Sequence, residues 1–124
     1  MSDSASRERS LIAEQVADAL RLYQATLDRW VLTPGDLDQY SRLCSEIDSI
    51  RALSLSALPE VTASLARVVL AHTDLTFIVL KKHLVRLGAI IEDGDRVAQA
   101  TEMHRAAVTK MCELCERLSK RRKS

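Results

Sequence analysis

This sequence predicts an all-α fold: an antiparallel four-helix bundle with a long third helix, expected to self-associate. Three observations carry that expectation. Apolar residues make up 47% of the 124 positions, enough for a single core without metal or disulfide support. Only three glycines and two prolines occur, and the aromatic set is Tyr23, Trp30, Tyr40 and Phe77, fewer turns and rings than sandwiches or barrels use. Apolar residues also recur at steps of three and four over four successive stretches, which places each set on one helix face.

Residues 1–6 are small and polar and read as a disordered N-terminus. The first helix is expected over 7–32, with Ile12, Val16, Ala19, Leu20, Tyr23, Leu27, Trp30 and Val31 on one face. Thr33-Pro34-Gly35-Asp36 then reads as a break and a restart. Thr33 is placed to cap, Pro34 suits a first helical position, and Asp36 stands where a capping box carries its acid. The second helix is expected over 34–53, with Leu37, Tyr40, Leu43, Cys44, Ile47 and Ile50 as its buried stripe. Residues 54–58 are ambiguous, and Pro59 suits the next helix start.

The third helix, expected over 59–92, carries two apolar sets. Leu70, Phe77, Leu80, Leu84, Leu87 and Ile91 form one; Val61, Leu65, Val68, Leu75 and Val79 form the other. A helix apolar around much of its circumference needs cover on more than one side. Gly88 is read as an interior residue that weakens the helix, and Gly94 as its C-terminal cap. Asp95 is expected to cap a fourth helix over 96–120 with the stripe Val97, Ala100, His104, Ala107, Met111, Leu114 and Leu118. That stripe is rich in small residues, which allows close helix approach. The whole reads as one domain over 7–119, followed by a basic disordered tail over 120–124.

The charge pattern gives a second line of inference. Net charge is +1, so nothing attracts the whole molecule to a polyanion. Residues 1–62 carry 6 basic and 10 acidic side chains, net −4, and residues 63–124 carry 12 basic and 7 acidic, net +5. The main expectation is that this asymmetry draws helices together. The alternative is a nucleic-acid-binding face on Lys81, Lys82, Arg86, Arg117, Lys120, Arg121, Arg122 and Lys123, with five positive charges within the seven residues 117–123. No zinc finger, trusted helix-turn-helix spacing or base-stacking aromatic series accompanies it.

Motifs for chemistry are sparse. Cys112 and Cys115, at i and i+3, share a helix face, with His104 two turns away and Cys44 on another helix. A zinc site needs four ligands, and the second pair is conjectural; the glutamates Glu113 and Glu116 disfavour thiolate. The acid at Glu116 stands where covalent haem attachment needs His. No disulfide framework, phosphate loop, nucleophile elbow or paired-carboxylate pocket is present. The expectation is therefore no enzyme activity, no metal and no cofactor. His83, followed by Arg86 and Gly88, resembles the phospho-acceptor segment of histidine phosphotransfer domains, which are helical bundles of this size. There the His is followed by a cation at +3 and Gly at +4; here the cation is in place and the glycine is one position late. The resemblance implies a phosphate-accepting His83.

The leading expectation is a non-enzymatic adaptor, chaperone or regulatory protein. It would bind a protein partner, itself included, through Leu70, Phe77, Leu80, Leu84, Leu87 and Ile91. Trp30 is a further candidate anchor, since Trp is enriched among binding hot spots; the competing role is a core plug at the bundle end. The layout resembles the small helical chaperones of flagellar export, which have a few antiparallel helices and an apolar groove for a partner helix. That resemblance implies a client seated between the third and fourth helices. No basic-then-apolar leader opens the sequence, and Arg67, Asp74, Lys81 and Lys82 interrupt the most apolar stretch, so the reading is a cytoplasmic protein without a membrane span.

Overall fold

The structure, a computed structural model, describes residues 2–86, 88 and 96–120. Among these there are four α-helices and no strand: α1 (Ser2–Leu32), α2 (Leu37–Ala57), α3 (Thr62–Arg86) and α4 (Val97–Lys120), with one 3-10 turn (Pro59–Val61) leading into α3. The helices pack on one another around a common core. α1 lies along both α2 and α4, and α3 lies along α4 while touching α2 only lightly.

α1 starts at Ser2 rather than at Arg7. Its deeply buried residues are Ala13, Val16, Ala17, Leu20, Tyr23, Leu27 and Trp30, a face with the three- and four-residue steps of an amphipathic helix. Near its start, the Ser10 hydroxyl lies 2.8 Å from the carbonyl of Ser119 and 3.3 Å from that of Leu118. Those carbonyls belong to the last described turn of α4. A buried serine thus finds its partner in a neighbouring helix end. At the other end of the same contact, Arg105 pairs with Asp28 at 3.0 Å.

The break after α1 is where the sequence puts it, but the capping residue differs. Asp36 is the N-cap of α2, accepting from the Gln39 backbone N–H at 3.0 Å, and Thr33 and Pro34 belong to the turn before it. Asp outranks Thr as a cap, and moving the start to Leu37 leaves Leu37 itself 77% exposed instead of in the stripe. The buried face of α2 is Leu43, Ile47, Ile50 and Ser54. The helix runs past the expected end to Ala57, and Leu58, Pro59 and Val61 make the tight corner into α3.

α3 is shorter than expected. It stops at Arg86, and Gly88 takes φ 77° with its N–H donating to the Val85 carbonyl at 2.9 Å. Two glycines compete to end this helix, Gly88 and Gly94. The earlier one adopts the left-handed conformation that glycine enters without a Cβ penalty. The expected cap at Gly94 and the Asp95 cap of α4 lie outside the described residues, as do residues 121–124 of the basic tail.

The N-cap gives a direct test of the α1–α2 corner. Asp36→Ala should cost about 1 kcal/mol of unfolding free energy in urea titrations followed by helical circular dichroism, whereas Asp38→Ala, one turn position later and exposed, should cost far less.

Candidate partner-binding groove

The two apolar sets of α3 have opposite fates. Val61, Leu65, Val68, Leu75 and Val79 are buried and face the core. On the other side Leu70 is 67% exposed and Phe77 68% exposed. A helix can hide one side against its neighbours, and among the described residues α3 packs mainly on α4, with lighter contacts to α2 and to Tyr23 of α1.

Leu70 and Phe77 line a groove of about 760 Å³ between α3 and α4. On α3 it runs from Arg67 past Leu70, Ala71, Asp74, Phe77 and Ile78 to Lys81 and Lys82; on α4 it runs from Arg96 past Val97, Ala100, Met103, Ala106 and Ala107 to Lys110. At 1.5 Å per residue the α3 wall is about 22 Å long. Small residues on α4 form the floor, because Ala100, Ala106 and Ala107 hold no bulk above the backbone. Met103, 64% exposed, and Phe77 stand at the edges as large adaptable contacts. Five of the lining residues are basic and one, Asp74, is acidic. Met103 and the rim cations Arg67, Arg96 and Lys110 were not foreseen from the sequence. The alanine-rich stripe of α4 was the signal that a second helix approaches or that a shallow floor exists.

The other expected contact residues are distributed differently. Leu84 is 44% exposed but does not line the groove, and Leu80 turns partly into the core. Leu87 and Ile91 lie outside the described residues. Trp30 is not a surface anchor: it is fully buried against Tyr40, ring centroids 5.4 Å apart. It occupies the last buried position of the α1 face, where α2 folds back over it. The basic residues proposed for nucleic acid do not form one patch. Lys81, Lys82 and Arg86 close α3, beside the start of α4, whereas Arg117 is near the far end of α4, about 30 Å along the helix from Arg96. The Lys120 side chain and Arg121, Arg122 and Lys123 lie outside the described residues.

Pro59–Arg86 is long and apolar enough by composition to cross a membrane, with mean hydropathy 1.5. The charges noted in the sequence therefore do not bar a span on composition alone. Within the fold this segment has another use, since its Leu65–Val79 side is packed against other helices. Only 28% of its most apolar stretch is buried, which makes the apolar excess of α3 a feature of the fold.

A polar cluster lies inside the core. The Tyr23 hydroxyl, fully buried, is 2.6 Å from His72 Nδ1 and 2.7 Å from His104 Nε2. One hydroxyl donates once and accepts from the other side. Buried His104 Nδ1 has no partner among the described residues, so it is best left as a bare lone pair. His104 Nε2–H then donates to Tyr23, and Tyr23 O–H donates to His72 Nδ1, a tautomer assignment that follows from the partners. Burial holds both imidazoles neutral. It lowers the His72 pKa, and with repulsion from His72 it lowers that of His104 to about 4 from 6.5. Burial also raises Tyr23 well above the ordinary phenol range.

The cysteines are no thiolate pair. Burial is the largest cause that raises the Cys112 thiol, and burial with Cys112 and Glu116 raises Cys115 to about 11. Cys115 is a core residue, and among the described residues no three His, Cys, Asp or Glu side chains gather to hold a metal. His83 is half-buried, its ring against the α1–α2 turn: a Cβ added at Gly35 would stand 3.4 Å from His83 Nε2. Gly88 is beyond the end of α3 and so does not open the helix face beside it.

Comparison with known proteins finds no matching family model, no similar curated protein and no similar solved structure.

The buried cluster sets a pH dependence. An unfolded chain protonates His104 near pH 6.5, while the folded chain resists until about pH 4, so acidification through this interval favours unfolding. The shift corresponds to roughly 3 kcal/mol, and His72 adds in the same direction. Urea unfolding at pH values spanning that interval should show His104→Gln losing roughly 3 kcal/mol less stability than the wild type. Parallel pH slopes for the two proteins would contradict the assignment.

Proposed function

We propose that this chain is a non-enzymatic helical adaptor, chaperone or regulatory protein that binds a helix of a partner protein in the groove between α3 and α4. One observation carries this reading. Leu70 and Phe77 stand two-thirds exposed on a helix whose opposite side is fully packed. Scattered exposed apolar residues need no explanation, but a pair two turns apart along a groove with an alanine floor marks an interaction site. Helix-in-groove recognition reads such spaced anchors.

The topology proposed with it is an antiparallel four-helix bundle. Support comes from contacts that join opposite helix ends: Ser10 with Ser119 and Asp28 with Arg105 between α1 and α4, and Trp30 with Tyr40 between α1 and α2. Self-association through this groove is disfavoured, because a two-fold contact pairs opposite ends of the groove and would set Arg67 and Lys110 against Lys81, Lys82 and Arg96 of the other copy. A nucleic-acid role would instead draw on the two separated basic ends.

The test is co-purification of wild-type protein and the Leu70→Asp, Phe77→Asp double variant from the native host, each with and without nuclease. Both positions are exposed, so the variant should melt within about 0.5 kcal/mol of the wild type by circular dichroism. Proteins retained by the wild type after nuclease and lost from the folded variant are the expected outcome. An unchanged set of co-purifying proteins would overturn the groove assignment, and nucleic acid alone on the wild type would replace it with the basic-end reading.

A further inference from the structure

The groove has chemistry as well as shape, and resting on the reading above, that chemistry narrows the occupant. Its cations outnumber its acids five to one. They are not equivalent. Lys81, Lys82 and Arg96 flank the α3–α4 connection, which carries Glu92, Asp93 and Asp95 in the sequence, so that end has acids of its own nearby in the chain. Arg67 and Lys110 define the opposite end. Both are exposed, neither enters an ion pair among the described residues, and the next acid along the groove wall, Asp74, is about 10 Å from Arg67 along α3. Uncommitted positive charge therefore concentrates at the Arg67–Lys110 end, and the centre is apolar apart from Asp74.

We propose that the groove receives an amphipathic helix of about four turns, its apolar stripe on Leu70, Phe77 and Met103 and its acidic end over Arg67 and Lys110. The length follows from the span between Arg67 and Lys82. The alanine floor at Ala100, Ala106 and Ala107 admits close approach of a helix backbone. Shape argues against an acyl chain, which needs a closed channel to leave water; here Phe77 and Leu70 stand mostly in solvent. Charge argues against a second copy on this face and against the chain's own basic tail, since both would bring cations to cations. Rim charges of this kind set orientation and partner choice more than raw affinity.

The experiment uses the full-length protein and three labelled 18-residue synthetic helices in fluorescence polarisation. All carry the same leucine stripe; one has glutamates at one end, one has lysines there, and one is sequence-scrambled. The Glu-ended helix should bind about tenfold more tightly than the Lys-ended helix at low salt, with the difference shrinking as salt rises. R67E/K110E should invert that preference, while F77D should abolish binding of both. Equal binding of the two helices, or a preference untouched by R67E/K110E, overturns the proposal. So does binding to phosphatidylglycerol vesicles, lost in F77D, without binding to either helix, which would assign the face to a lipid surface. A dimer in sedimentation equilibrium that F77D dissociates overturns it in favour of a second copy. The underlying reading fails separately: it falls if native co-purifying proteins survive L70D/F77D, and it stands if they are lost while the peptides show no charge preference.

Discussion

The apolar circumference of α3 is the constraint on which the arrangement depends. A helix with apolar residues on two sides requires packing on two sides, yet α3 has one long neighbour in α4 and a light contact with α2. The side with Val61, Leu65, Val68, Leu75 and Val79 closes the core. The side with Leu70 and Phe77 is left over. Each large side chain left in water forgoes about 2 kcal/mol of burial. Everything that distinguishes the groove, from its alanine floor to its rim, is built around that uncovered side.

Inside the core, polar groups fix how the helices register. Tyr23 on α1 bonds to His72 on α3 and His104 on α4, so one hydroxyl ties three helices at one level. Sliding any of the three by a turn would leave buried polar atoms unpaired, a cost larger than the net value of the bonds themselves. The Ser10 contact with the last carbonyls of α4 does the same at the bundle's edge. These contacts hold the relative height of α3 and α4, and hence keep the two walls of the groove opposite each other. The groove is thus positioned by buried chemistry that it does not expose.

The charge asymmetry between the halves of the chain is only partly spent on joining helices. Arg105 with Asp28 follows it, cation from the basic half and acid from the acidic half, but Arg21 with Glu116 runs the other way. Both pairs are half exposed and such pairs contribute little to stability. Part of the surplus positive charge of the C-terminal half instead lines the groove at Arg67, Arg96 and Lys110.

Much of this architecture is determined by the sequence itself. Periodicity places four helices, the Thr33–Asp36 corner and both apolar sets of α3, because helical spacing depends only on residues a few positions apart. Local competition already exceeds its reach: Asp36 displaces Thr33 as cap, and Gly88 ends α3 ahead of Gly94, since two adequate signals in one segment are separated only by what the chain packs against. Tertiary structure alone decides which α3 side is buried, sends Trp30 into the core, turns Leu80 partly inward, and sets Arg117 a helix length from Lys81 and Lys82. It alone assembles Tyr23, His72 and His104 from positions 49 and 81 residues apart. A helical pattern states that a face is apolar; it carries no information about which neighbour, or whether any neighbour, lies against that face.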